Sequence, residues 1–200
     1  MADVLDLDAQ HLDAGIDLDN SDHSRLAQIS EELIDLADQY DSNIANLVVH
    51  TDFNCLSVME YAIEALKIKH VIVCGHYGCG GVQAALRNLE LGLIDNWLRH
   101  VRDVHGKHET ALNRIADESK RWDKLCELNV IEQVHNVCNT TIVQRAWKNG
   151  QQLAVHGWIY SLQDGLLRDL NVCTTNTEES EPIYNTALEA IYSDYAAGTK

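Results

Sequence analysis

Proline and phenylalanine occur only once each in the 200 residues, which removes collagen-like and proline-rich readings. No stretch approaches the roughly 18 uninterrupted apolar residues of a membrane span. Positive charge is also scarce, with 15 Lys and Arg against 31 Asp and Glu and a net charge of −16. Without a basic stripe to neutralise phosphates, nucleic acid is not an expected partner. The N-terminal run Met1-Ala2-Asp3-Val4-Leu5-Asp6 has neither a basic n-region nor an apolar h-region, and it is too acidic for a transit peptide. A cytoplasmic location with no membrane association is the expectation. There the six cysteines (55, 74, 79, 126, 138 and 173) read as reduced thiols, most of them packed as small hydrophobes.

The acidity is uneven. Residues 1–41 hold 12 of the 31 acids and one base, Arg25, a net −11 that leaves −5 for the remainder. We divide the chain there, into an acidic segment (1–42) and a globular α/β domain (43–200). Residues 1–20 are Asp-rich and weakly apolar, a composition that does not support a packed core. Leu26, Ile29, Leu33, Ala37 and Tyr40 then recur at intervals of three and four and predict an amphipathic helix over 24–40, with Ser21 or Asp22 as N-cap.

The most informative run is His70-Val71-Ile72-Val73-Cys74-Gly75-His76-Tyr77-Gly78-Cys79-Gly80-Gly81-Val82. Its β-branched start reads as a buried strand over 70–74, and Val82 to Leu86 reads as a helix. Between them a turn containing Gly75, Gly78, Gly80 and Gly81 presents an imidazole and a thiol three positions apart. His76 and Cys79 are therefore candidate zinc ligands, with the four glycines as the loop that lets backbone fold closely around the ion. The other thiols fit packing: Cys74 alternates away from the turn, and Cys55, Cys126 and Cys138 fall in helices. His50, His70, His100, His105, His108 and His135 read as surface or supporting residues.

Helical periodicity is present over 53–67, 93–105, 109–119 and 122–148, the last with a break near Asn139 where Asn139-Thr140-Thr141 resembles a fresh cap. Residues 152–160 alternate as a strand, 164–170 read as a turn with a short strand or helix, and 183–195 as a closing helix. Strands separated by helices mean an α/β fold with a mainly parallel central sheet flanked by helices.

From Asn43 to about Val172 the chain resembles the β-class carbonic anhydrases, in particular the bacterial type. The resemblance rests on Ala45-Asn46-Leu47-Val48-Val49-His50-Thr51-Asp52, Asn54-Cys55-Leu56-Ser57-Val58 and the glycine-rich HxxC turn. Leu91-Gly92-Leu93-Ile94 with Asn96-Trp97-Leu98, Cys126-Glu127-Leu128-Asn129-Val130, Ala146-Trp147 and His156-Gly157-Trp158 follow in family order, and so does Asp164-Gly165-Leu166-Leu167-Arg168-Asp169-Leu170. The resemblance implies a lyase that reversibly hydrates carbon dioxide to bicarbonate, using one zinc per chain held by two cysteines and a histidine. His76 and Cys79 match the second and third protein ligands. It also implies a homodimer or homotetramer with active sites at subunit interfaces.

The family's first ligand lies in a Cys-Ser-Asp-Ser-Arg run that closes the first central strand, and this chain has no such run. Counting back without gaps from Ala45-Asn46 places it on Asn20-Ser21-Asp22-His23-Ser24, with Arg25 one place late. The first central strand is thus doubtful or missing, and backbone groups beside the 70–74 strand would lack a partner. A helix N-cap accounts for both Ser21 and Asp22 and is the preferred reading; in the functional one Asp22 is the candidate catalytic acid or ligand, and His23 and Arg25 are candidate substitutes for the lost ligand and dyad. Ser42 stands where the bacterial type carries an arginine, so a regulatory bicarbonate pocket is not assigned. Two alternatives follow from the departure: a zinc-free relative that serves as an assembly subunit, or a defective copy whose residues 1–42 are not the native N-terminal segment.

Overall fold

The computed structural model describes residues 43–197. The expected 24–40 helix, the weak first strand, and Asp22, His23 and Arg25 all lie outside the described residues.

Three strands form one mixed sheet in the order β1-β2-β3. Strand β1 (His70–His76) pairs in parallel with β2 (Ala154–Ser161), Ile72 opposite His156 and His76 opposite Tyr160. A short hairpin turns β2 into β3 (Leu166–Thr174), which is antiparallel, with an irregularity between Gly157 and Trp158. To the expected parallel pair the structure adds an antiparallel third strand: the turn and short strand or helix expected over 164–170 opens a full strand, because only four residues separate it from β2, too few for a crossover. Among the described residues β1 has β2 as its single neighbour.

The β1–β2 crossover carries most of the helices. Asp52 caps α1 (Phe53–Glu60), which runs into a π-helical turn over Tyr61–Ala65, together matching the expected 53–67 element. Next come α2 (Gly80–Leu86), α3 (Ile94–Leu112), α4 (Glu118–Cys138) and α5 (Thr141–Lys148). Two expectations change here. The 93–105 and 109–119 elements are one helix, α3, that ends at Leu112, because the Asp117 side chain accepts from Ser119 and Lys120 N–H and starts α4 afresh. The break near Asn139 stands, with Thr140 capping α5 through the Val143 N–H. The closing helix, α6 (Thr177–Ala197), starts six residues before the expected 183. Pro182 lies inside it, forgoing one bond to the carbonyl of exposed Glu178. No helix among the described residues is long and apolar enough to cross a membrane.

Helix α4 is the centre of the molecule. Leu125 to Val134 are buried without interruption, and Val71, Val73, Val155, Ile159 and Val172 from the sheet pack in the same core. Its inward-facing polar residues have assigned work. Asn129 Nδ2 donates to the Ala45 carbonyl (2.7 Å), Val48 N–H donates to Gln133 Oε1 (2.8 Å), and Asn136 Nδ2 donates to the Val48 carbonyl (3.3 Å). Segment 43–49 is irregular, so these amides satisfy backbone groups that a strand neighbour would otherwise bond. Glu132 accepts from His108 Nε2 (2.7 Å), Tyr184 Oη (2.5 Å) and Lys107 Nζ (2.9 Å), joining α3, α4 and α6. His108, expected at the surface or in a supporting role at the site, is 3% exposed and belongs to this network. Near the C-terminal end of α3 it shares the buried face of Val101, Val104 and Leu112, and Tyr192 Oη holds its other ring nitrogen (2.6 Å).

Candidate metal centre

Strand β1 continues through Gly75 to His76, two residues beyond the expected end, so the imidazole leaves from the strand and the thiol from the start of α2. The glycines between them do different jobs. A Cβ on Gly75 would sit 2.5 Å from Val130 Cγ2, so this glycine serves the crossing of α4 over β1. Gly78 has φ +71° in open space, the left-handed conformation that reverses the chain. Gly81 is packed against Ile44, Ala45 and Leu98, while Gly80 faces nothing within 4 Å.

The two donors lie side by side. His76 Nδ1 is 2.9 Å from the Tyr77 carbonyl, which can only accept; Nδ1 therefore carries the proton, and Nε2 is the ring atom left to meet Cys79. Hydrogen bonding to Cys79 raises the His76 pKa above its ordinary value, against the opposing effect of burial. Burial pushes the Cys79 thiol up, but His76 together with the Val82 and Gly81 backbone N–H groups outweighs it and leaves the thiol below its ordinary pKa. An available imidazole nitrogen beside an acidified, buried thiol is the chemistry of a soft divalent cation site.

The surroundings were only partly legible in sequence. The Tyr77 phenol donates to Glu127 Oε1 (2.6 Å), whose other oxygen accepts from Lys124 Nζ (2.7 Å). Trp122 Nε1 donates to the Cys79 carbonyl (3.0 Å). Cys126 lies against the Cys79 backbone, and burial holds its thiol far above the ordinary range, as expected for packing. Cys55 and Cys138 are buried in helices, and Cys74 joins Ile72, Trp158, Leu167 and Tyr160 on the other sheet face. A buried glutamate between two apolar helical positions was the one signal pointing to Glu127. Among the described residues, no three His, Cys, Asp or Glu side chains are grouped to hold a metal. His76 and Cys79 thus fit two corners of a zinc site. Asp22, His23 and Arg25 lie outside the described residues.

A family model for carbonic anhydrase matches residues 40–167. The chain belongs to that family. A carbonic anhydrase of Emericella nidulans is 49% identical over 130 residues, covering 65% of this chain and 57% of the relative. One from Candida albicans is 31% identical over 155 residues, 76% of this chain and 55% of the relative. The chain thus spans little more than half the length of these curated relatives. Among solved structures, a Coccomyxa β-carbonic anhydrase superposes with a TM-score of 0.66 at 38% identity, covering 74% of this chain and 69% of that one. A tetrameric β-carbonic anhydrase from Sordaria macrospora gives 0.62 at 35% identity, covering 66% and 68% respectively. The β-carbonic-anhydrase fold of the described residues accords with the sequence resemblance.

Proposed function

We propose that this chain reversibly hydrates carbon dioxide to bicarbonate at a zinc site that includes His76 and Cys79, and that it works as a homodimer or homotetramer. The observation that carries the reading is the pair itself, a ring held by its Nδ1 so that Nε2 faces a thiol of lowered pKa. When bound, zinc supplies Lewis acidity and lowers the pKa of a water towards 7, which provides a nucleophile for carbon dioxide at neutral pH. The chain's own part is to present the His76 ring edge-on through the Tyr77 carbonyl and to favour thiolate at Cys79 with backbone N–H groups. Cys79 is buried, which excludes water from the thiol side of the site.

A third protein donor sets how well the site holds metal. Residues 1–42 contain no cysteine, so Asp22 or His23 is the donor we propose from that segment. The absence of a third grouped donor among the described residues favours a second reading, a relative that keeps the assembly and binds no zinc. Zinc analysis of the purified protein, with stopped-flow carbon dioxide hydration, separates the two. The enzyme reading expects about one zinc per chain, both zinc and activity lost in His76→Ala, and weaker zinc in Asp22→Ala or His23→Ala. A folded oligomer that takes up no zinc and shows no hydration overturns it.

A further inference from the structure

Both donors are fastened to a single helix by polar contacts that act on the backbone beside them. Tyr77 is fixed at three points: its N–H donates to the Tyr160 carbonyl (2.9 Å), its carbonyl takes His76 Nδ1 (2.9 Å), and its phenol donates to Glu127 (2.6 Å). The carbonyl that selects the His76 tautomer is thus aimed by a side chain on the opposite end of the same residue. Glu127 is 7% exposed, and a buried carboxylate is costly unless hydrogen-bonded, so an apolar contact would hold the turn to α4 at lower cost. Trp122, one and a half turns earlier on α4, grips the Cys79 carbonyl in the same way.

We infer that Glu127, acting through Tyr77, is a positioning residue that holds the His76 ring in its Nδ1–H tautomer with Nε2 presented, and that Trp122 does the corresponding work for Cys79. The inference rests on the reading of His76 and Cys79 as metal donors, but its central statement concerns a tautomer that exists without metal. It makes α4, rather than the glycine loop, the element that sets where the two donors lie.

The test uses long-range proton–nitrogen spectra of the full-length 15N-labelled protein, stripped of metal with chelator, at mildly alkaline pH. The native chain is expected to show His76 as the Nδ1–H tautomer. Tyr77→Phe, which keeps the ring, and Glu127→Leu, which removes the acceptor, are each expected to raise the Nε2–H fraction about fivefold to tenfold, the weight of one lost hydrogen bond. Glu127→Gln retains an acceptor oxygen and is expected to restore the native pattern, whereas a role for Glu127 through charge or bulk alone would not distinguish Gln from Leu in this way. Glu118→Gln, on the same helix but paired with exposed Arg87, is the unaffected control. Unchanged His76 signals in both Tyr77→Phe and Glu127→Leu overturn the inference. In zinc titrations Tyr77→Phe, Glu127→Leu and Trp122→Phe are expected to bind about 10–100-fold more weakly than the native chain. A native chain with the expected tautomer and no zinc uptake would overturn the metal reading alone.

Discussion

The approach of Gly75 to Val130 offers the sharpest quantitative handle on the fold. A methyl group at residue 75 would lie 2.5 Å from Val130 Cγ2, against about 3.5–4 Å for carbons in ordinary contact. Helix α4 and strand β1 are both buried there, so about 1 Å of displacement has no free direction. Gly75→Ala should therefore cost about 1–3 kcal/mol as an overpacked site. Val130→Ala removes two buried methyl groups, at roughly 2 kcal/mol including the cavity left behind. In the double variant the new methyl occupies space vacated by Cγ2, so the overpacking disappears and the cost should fall to that of Val130→Ala or below. The expected coupling is about −2 kcal/mol, read as the shift in urea midpoint at fixed protein concentration with unchanged slope. If the double variant equals the sum of the single ones within about 0.5 kcal/mol, the two residues do not meet as described.

Acid stability should report on Glu132. Burial pushes its carboxyl up, but hydrogen bonds from His108, Tyr184 and Lys107 outweigh this and hold its pKa at about 2, below the ordinary 4.5. A depressed carboxyl pKa contributes stability that is complete above the ordinary value and is lost as pH falls from about 4.5 towards 2. The loss should be on the order of 3 kcal/mol, visible as a falling urea midpoint in that window and absent from Glu132→Gln, which should already be less stable at neutral pH. Asp117→Ala should cost about 1 kcal/mol by leaving the first N–H groups of α4 without their cap, measured by the same urea titration.

The HxxC turn was legible because its chemistry is local: two donor types three residues apart, glycine around them, β-branched residues before them. The division of labour among the glycines was not, since Gly75 answers to Val130, more than fifty residues away, and no pattern near Gly75 announces it. The same limit applies to the helix boundaries. Asp117 starts α4 by a local side-chain bond that is readable in principle, yet the apolar periodicity of 109–119 runs across it and conceals the stop at Leu112. His108 was misplaced because periodicity records apolar residues, whereas a histidine buried by a carboxylate and two phenols on other elements leaves no periodic trace. Residue 164 onwards became a strand through pairing with β2, a tertiary effect that outweighs the ambiguous local preference.

The contacts between α4 and the end of β1 also form a ruler. Val130 meets Gly75, Glu127 meets Tyr77 and Trp122 meets Cys79, so the helix and the strand-turn segment run in opposite directions with matched marks. Both donor-bearing residues are thus anchored, through their neighbours, to successive positions of one buried helix. Such a gauge constrains variation in a particular way. Inserting or deleting one residue between Trp122 and Val130 would rotate successive marks by about 100° and misplace both donors at once, with the sequence of the turn itself untouched. The conservation to expect in relatives is therefore one of spacing along α4, as strict as the spacing of histidine and cysteine.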